Sequence, residues 1–146
     1  MKTHVVKTSP DASLAEAVDL MDIYQVNSMP VVDVEGKLCG FLSEQDIVLA
    51  ARDLWDAGHS SGQIRNGTER TQLSETIAKT PVANVMKLEV ASIFEDDSIE
   101  DSLRTFFVND YTRLPVLNLD GNVVGTLNRI DIMQAVFEQA LTLPEA

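Results

Sequence analysis

The chain has 146 residues, 45% of them hydrophobic, with 23 acids against 11 bases and a formal net charge of -12. This is ordinary globular composition, long enough to bury roughly 68–70% of the unfolded surface. The acidic balance argues against nucleic acid and against an anionic membrane surface, since both are bound through clustered Lys and Arg.

Residues 4–8 read as a short strand, ended by Ser9-Pro10-Asp11. Ser13 with Glu16 three residues later forms a capping box, and Leu14, Ala17, Val18, Met21 and Tyr24 follow at helical spacing. Met29–Val34 and Leu38–Leu42 are β-type runs around a tight turn at Glu35-Gly36. A second helix is expected from Ser43, with Ile47, Ala50, Ala51, Leu54 and Trp55 on one face. Residues 58–71 lack apolar periodicity and are rich in Gly, Ser and Asn, which predicts a mobile loop or linker. Leu73–Lys79 reads as a short helix stopped before Pro81, and Pro81–Met86 as another helical turn.

From Val90 the pattern starts again. Val90–Ile93 reads as a strand, and Ser98 with Asp101 as a second capping box. Ile99, Leu103, Phe106 and Phe107 supply an apolar helix face. Leu114–Leu119 and Val123–Leu127 form a hairpin around Asp120-Gly121. The last helix runs from Asn128 through Ile132, Met133, Val136, Phe137 and Ala140, and the tail Leu143-Pro-Glu-Ala is expected to fray. A shift of 85 residues superposes 5–51 on 90–136 without a gap and with 11 identities. Among these are Pro30/Pro115, Gly36/Gly121, Gly40/Gly125, Leu42/Leu127 and Asp46/Asp131. The chain is a tandem duplication of strand–helix–strand–strand–helix units. The expected boundaries are 1–57 and 81–142, joined by a linker over 58–80.

Cys39 is the single cysteine, so no intrachain disulfide forms, as expected in a reducing compartment. It aligns with Val124 and reads as a small hydrophobe. No apolar leader and no run of 18 apolar residues is present, and the expectation is a cytoplasmic protein. The methionines Met21, Met29, Met86 and Met133, with Phe106 and Phe107, read as core. Trp55 reads as either a core cover or a dimer contact, and Lys37 and Asn122 as solvated turn residues.

No catalytic set converges in the sequence. His4 and His59 make no metal spacing with Cys39, and Ser13, Ser43 and Ser98 have no neighbouring histidine to activate them. No activity and no required cofactor are expected. The informative pair is Gly40-Phe-Leu-Ser-Glu-Gln-Asp46 and Gly125-Thr-Leu-Asn-Arg-Ile-Asp131. One reading is that Ser43/Asp46 and Asn128/Asp131 only cap helices, as Ser13/Glu16 does. The other is a ligand site. Each pair stands on a strand–helix junction, where unbonded N–H groups and the helix dipole favour anions. The glycine three residues before the cap lets a ligand approach the backbone, and a fixed carboxylate there can take both hydroxyls of a ribose.

These residues resemble the cystathionine β-synthase (CBS) domain pair. The resemblance rests on Met29-Pro30-Val31 and Leu114-Pro115-Val116, the hairpin glycines, the Gly40–Asp46 stretch and Val85-Met86, and it covers nearly all of 4–140. It implies an α/β fold of two CBS domains packed about a pseudo-twofold axis, commonly dimerised. It also implies a regulatory role, with an adenosine ligand (AMP, ADP, ATP or S-adenosylmethionine) in the cleft between repeats. In these terms Asp46 and Asp131 match the ribose-binding position and Ser43 the hydroxyl that reaches a phosphate. Arg113 stands where a basic phosphate contact is common, and Arg129 is placed to assist.

Several residues depart from the family pattern. Asn128 replaces the usual Ser or Thr, Lys87 stands where Thr often follows Val-Met, and Ser28 occupies the position equivalent to Arg113. The first repeat begins near Met1, so its site is expected to lack a closing lead-in segment. The Arg113 side is therefore the expected phosphate site. The expected function is a sensor, a homodimer that signals to an effector protein by population shift. The alternative is a dimerisation scaffold that binds no ligand.

Overall fold

The structure, a computed structural model, describes residues 4–60, 67–108 and 111–142. They fall into two compact units. The first consists of Val6–Val34 and Cys39–Glu89. The second has as described members His4–Val5, Glu35–Leu38 and the residues from Val90 to Thr142.

In the first unit, helix α1 spans Leu14–Tyr24, and the predicted Ser13–Glu16 box caps it. Strands β1 (Ser28–Val32) and β2 (Leu38–Ser43) form the hairpin, and helix α2 runs over Glu44–Ser60. Gly36 turns the hairpin at φ 84, a left-handed conformation that glycine takes without strain. The core is Leu14, Ala17 and Met21 from α1, Met29 and Val31 from β1, and Leu42 from β2, closed by Val82. Alternation explains the strand members: every second residue of a half-buried strand points inward.

The loop expected over 58–71 is largely helical instead. Residues 58–60 end α2, helix α3 spans Gly67–Lys79, and the remaining residues 61–66 lie outside those described. The short helix expected over Leu73–Lys79 is the C-terminal part of α3, whose first turns carry little apolar periodicity to read. Its hydroxyls bond back to carbonyls four residues earlier: Thr71 to Gly67, Ser74 to Arg70 and Thr76 to Gln72. Packing against α1 and α2, rather than propensity, holds it. A 3₁₀ turn at Val82–Asn84 follows, where a helical turn was expected.

The second unit repeats the plan with β3 (Ile93–Phe94), α4 (Ile99–Val108), β4 (Arg113–Leu117), β5 (Val123–Asn128) and α5 (Arg129–Thr142). Strand β3 pairs parallel with β4, and β4 pairs antiparallel with β5. The core is Ile93, Phe106, Leu114, Val116 and Ile132. The tail 143–146 and the side chain of Ala140 lie outside the described residues.

Both lead strands are shorter than expected, for one reason. The 4–8 strand shrinks to a single bridge, Thr8 to Val31, in which Thr8 N–H donates to Pro30 O (3.1 Å) and Val32 N–H donates to Thr8 O (2.9 Å). The next bond back along the ladder needs an N–H on residue 30, and proline has none. In the second repeat Pro115 occupies the same place, and β3 starts at Ile93, the equivalent of Thr8, rather than at Val90.

Two other expectations change. Met133 and Phe107 are exposed rather than core, whereas Met21, Met29 and Phe106 are buried. Asn122 is more than a solvated turn residue. Its amide donates to Glu35 O at 2.8 Å, and Lys37 bridges it through the backbone.

Candidate functional site

Six residues carry the site expectation: Ser43 and Asp46 at the β2–α2 junction, and Arg113, Asn128, Arg129 and Asp131 at the β5–α5 junction. Each group is brought together within its own unit.

At the first junction the cap is reciprocal. Ser43 N–H donates to Asp46 Oδ2 and Asp46 N–H donates to Ser43 Oγ, both at 3.2 Å. Glu44 N–H is taken by Asn27 O at 2.9 Å. Much of what a helix N-terminus offers an anion is therefore spent internally. The other carboxylate oxygen, Asp46 Oδ1, lies 3.6 Å from Lys87 Nζ. Asp46 is the enclosed partner, its side chain 11% exposed against 52% for Lys87.

The segment Val85–Lys87 delivers that lysine. Phe41 N–H donates to Lys87 O (3.0 Å) and Lys87 N–H to Phe41 O (2.9 Å), which binds the segment to β2. Met86 lies over Gly40, where an added Cβ would come within 2.5 Å of Met86 Sδ and 3.1 Å of Lys87 O. The close approach that Gly40 permits is thus filled by the chain itself. Residues 85–87 cover the first junction.

The second junction is assembled differently. Asn128 N–H donates to Asp131 Oδ2 at 2.9 Å, and Arg129 N–H to Thr112 O at 3.1 Å. The Asn128 side-chain oxygen, however, accepts from Arg113 Nε at 2.9 Å. Arg113 and Asn128 are direct cross-strand partners of β4 and β5, so the sheet register fixes this contact. Arg113 is half-buried, and desolvation lowers its pKa while the charge of Asp131 acts in the opposite direction. Arg129, exposed on the first turn of α5, adds a cation at the rim. At the position equivalent to Arg113, Ser28 is buried.

Chemically, the second junction offers a planar cation suited to a phosphate or carboxylate and a carboxylate suited to a diol. Among the described residues no His, Cys, Asp and Glu group has the arrangement of a metal site. A cavity of about 350 Å³ opens elsewhere in the first unit, lined by Lys7, Thr8, Glu16, Leu20 and Asp33 among others. None of the six candidate residues lines it. Sequence reasoning missed the roles of Lys87 and Met86. Their only signal was a lysine where the pattern favours threonine.

The CBS domain family model matches residues 1–53 and 82–138. The chain belongs to the CBS domain family. The CBS domain-containing protein YhcV of Bacillus subtilis is 31% identical over 125 residues, covering 86% of this chain and 74% of that protein. The chloroplastic CBSX1 of Arabidopsis thaliana is 28% identical, covering 92% of this chain. This chain spans 59% of CBSX1 and 21% of inosine-5'-monophosphate dehydrogenase of Methanocaldococcus jannaschii, to which it is 26% identical. In fold it resembles the CBS-pair protein CBSX2 of Arabidopsis thaliana, with a TM-score of 0.74 at 22% identity, covering 98% of this chain and 94% of that one. CBSX2 in complex with AMP superposes with a TM-score of 0.69 at 23% identity, over 94% and 90% of the two chains. The fold is therefore a tandem CBS pair. No helix among the described residues is long and apolar enough to cross a membrane.

Proposed function

We propose that this CBS pair is a cytoplasmic, non-catalytic regulatory module that binds an adenosine-type ligand at the second strand–helix junction. The ligand class is AMP, ADP, ATP or S-adenosylmethionine. Asp131 takes the ribose hydroxyls, Arg113 and Arg129 meet the phosphate or carboxylate end, and Asn128 holds Arg113 in place. The observation that carries this reading is the Arg113–Asn128 bond at 2.9 Å, which ties a half-buried cation to the residue whose N–H donates to Asp131. A similar protein solved with AMP supports the ligand class. Output passes through a homodimer to an effector protein, by a shift between conformations that differ in ligand affinity. The repeats are taken as 1–57 and 81–142.

A thermal-shift panel with AMP, ADP, ATP, S-adenosylmethionine and GTP tests this. A ligand at 100 times its dissociation constant adds about 2.7 kcal/mol of stability. One adenosine ligand should raise the melting temperature of the wild type and lose that effect in Asp131→Ala. The first junction favours a second reading, a scaffold that binds no ligand. There Ser43, Asp46 and Lys87 satisfy one another without any ligand. A cooperative melt with no shift for any compound would support the scaffold.

A further inference from the structure

The cavity of about 350 Å³ in the first unit has no part in the proposed adenosine site. Its volume falls within the roughly 300–1,000 Å³ of small-molecule sites. Residues 7–9 and 32–34 line it, and Thr8 and Val31 form a parallel bridge. The cavity therefore opens beyond the carboxyl end of a parallel strand pair, where open α/β sheets take their ligands. Helix α1, the crossover between those strands, supplies another wall. Glu16 and Leu20 stand four apart on one face of α1, and Ala12 precedes Glu16 by the same step.

The duplication explains why the crevice is open in this repeat. Ser9 and Ala12 are small, and their second-repeat equivalents are Phe94 and Asp97. There the Asp97 carboxylate accepts Phe94 N–H at 3.0 Å, closing the corner with a larger pair. Lys7 has Ser92 as its equivalent, so the cation also belongs to the first repeat alone. Among the described residues exposed Lys7 forms no ion pair, although Glu16 and Asp33 share the lining. Glu16 spends one carboxylate oxygen on Ser13 N–H, in a long bond of 3.4 Å. Apolar lining comes from Ala12, Leu20, Val32 and Val34.

We infer that this cavity is a ligand site of its own, for a free amino acid with an apolar side chain. Charge and size select that class. A ligand carboxylate pairs with Lys7, its ammonium with Glu16 and Asp33, and its side chain packs on the four apolar residues. Acids alone would favour a simple amine, and a lysine alone a simple carboxylate. Both signs around one apolar lining fit a zwitterion. The volume equals roughly a dozen waters at about 30 Å³ each, room for the nine or so non-hydrogen atoms of a leucine. Burial of the side chain supplies affinity, and the charged pairs set selectivity. The inference does not rest on the adenosine reading.

Isothermal titration calorimetry of L-leucine into the full chain tests it. Two analogues run beside it: isopentylamine, which lacks the carboxylate, and 4-methylpentanoate, which lacks the ammonium. Wild type should bind one leucine per chain, and each analogue at least roughly tenfold more weakly. Lys7→Ala should weaken leucine at least roughly tenfold while holding isopentylamine as well as before, which erases the preference. Ser9→Phe, which installs the second-repeat residue at an exposed position, should weaken leucine by a similar factor with an unchanged circular dichroism spectrum. A wild type that binds no leucine at millimolar concentration overturns the inference. So does isopentylamine bound as tightly as leucine, which would make the cavity an amine site. Leucine binding unchanged in both variants would overturn it too, by placing the ligand elsewhere on the chain.

Discussion

At the first junction Ser43 and Asp46 close on each other, Lys87 holds the outer oxygen of Asp46, and Met86 covers Gly40. At the second, the Asn128 side-chain oxygen accepts from Arg113, and the Asn128 N–H donates to Asp131. One repeated pattern is thus an internally satisfied joint in one copy, and in the other a cap whose asparagine holds an arginine across the strands. The difference comes from a few positions. Arg113 stands against Ser28, Asn128 against Ser43, and Lys87 on the segment bonded to β2. A binding motif is only as available as the groups that its neighbours leave uncommitted.

The largest expected effect tests packing. Leu42 is fully buried, whereas its equivalent Leu127 is half-buried, so Leu42→Ala should cost about 2–5 kcal/mol by chemical denaturation. Leu127→Ala should cost clearly less, and equal losses would erase the contrast between the repeats. Next is Gly40→Ala. Its Cβ meets Met86 and the Lys87 carbonyl, so the covering segment must move, with a loss of about 1–3 kcal/mol. A neutral result would show that Met86 is not seated there.

Lys87→Thr is the sharper experiment, although its effect on stability is small. The lysine is half exposed, so losing its ion pair should cost less than about 1 kcal/mol. Calorimetry should then show a second, weaker binding event as Asp46 becomes available. No change in stoichiometry would mean that Ser43 and Asp46 are caps whatever covers them.

The smallest effect is in the alkaline limb. Burial, with the charge of Asp33, pushes the Cys39 thiol above its ordinary range, and the thiol donates to Val31 O at 3.3 Å. The folded state therefore holds this proton more tightly than the unfolded chain. The resulting stability is fully present below the ordinary thiol pKa of about 8.5 and is lost as pH rises through the raised folded value. Cys39→Val, the residue of the second repeat, should flatten that limb of the stability–pH curve and leave neutral pH nearly unchanged.

The repeat, both hairpins, the caps and the family were legible because each depends on local spacing: Pro30/Pro115, Gly36/Gly121 and Ser13–Glu16 are short-range signals. The first turns of helix α3, residues 67–72, were not, since polar side chains bonded to its own carbonyls leave no apolar period to read there, whereas Leu73–Lys79 was read as helix. The short lead strands follow from the missing proline N–H, which is visible in sequence once the register is known. The exposure of Phe107 and Met133 escaped helical-face counting because each stands about 100° around its helix from a buried neighbour, Phe106 or Ile132. The closure of Asp46 by Lys87 was hidden for another reason. It depends on a residue 41 positions away in the chain, brought back by backbone pairing at Phe41.

The central claim is that the second junction, not the first, takes the ligand. Isothermal titration calorimetry of AMP and ATP into wild type, Asp131→Ala and Asp46→Ala tests it most directly. The account predicts one site per chain, abolished in Asp131→Ala and weakened at most a few-fold in Asp46→Ala. Binding that survives Asp131→Ala but disappears in Asp46→Ala would contradict it.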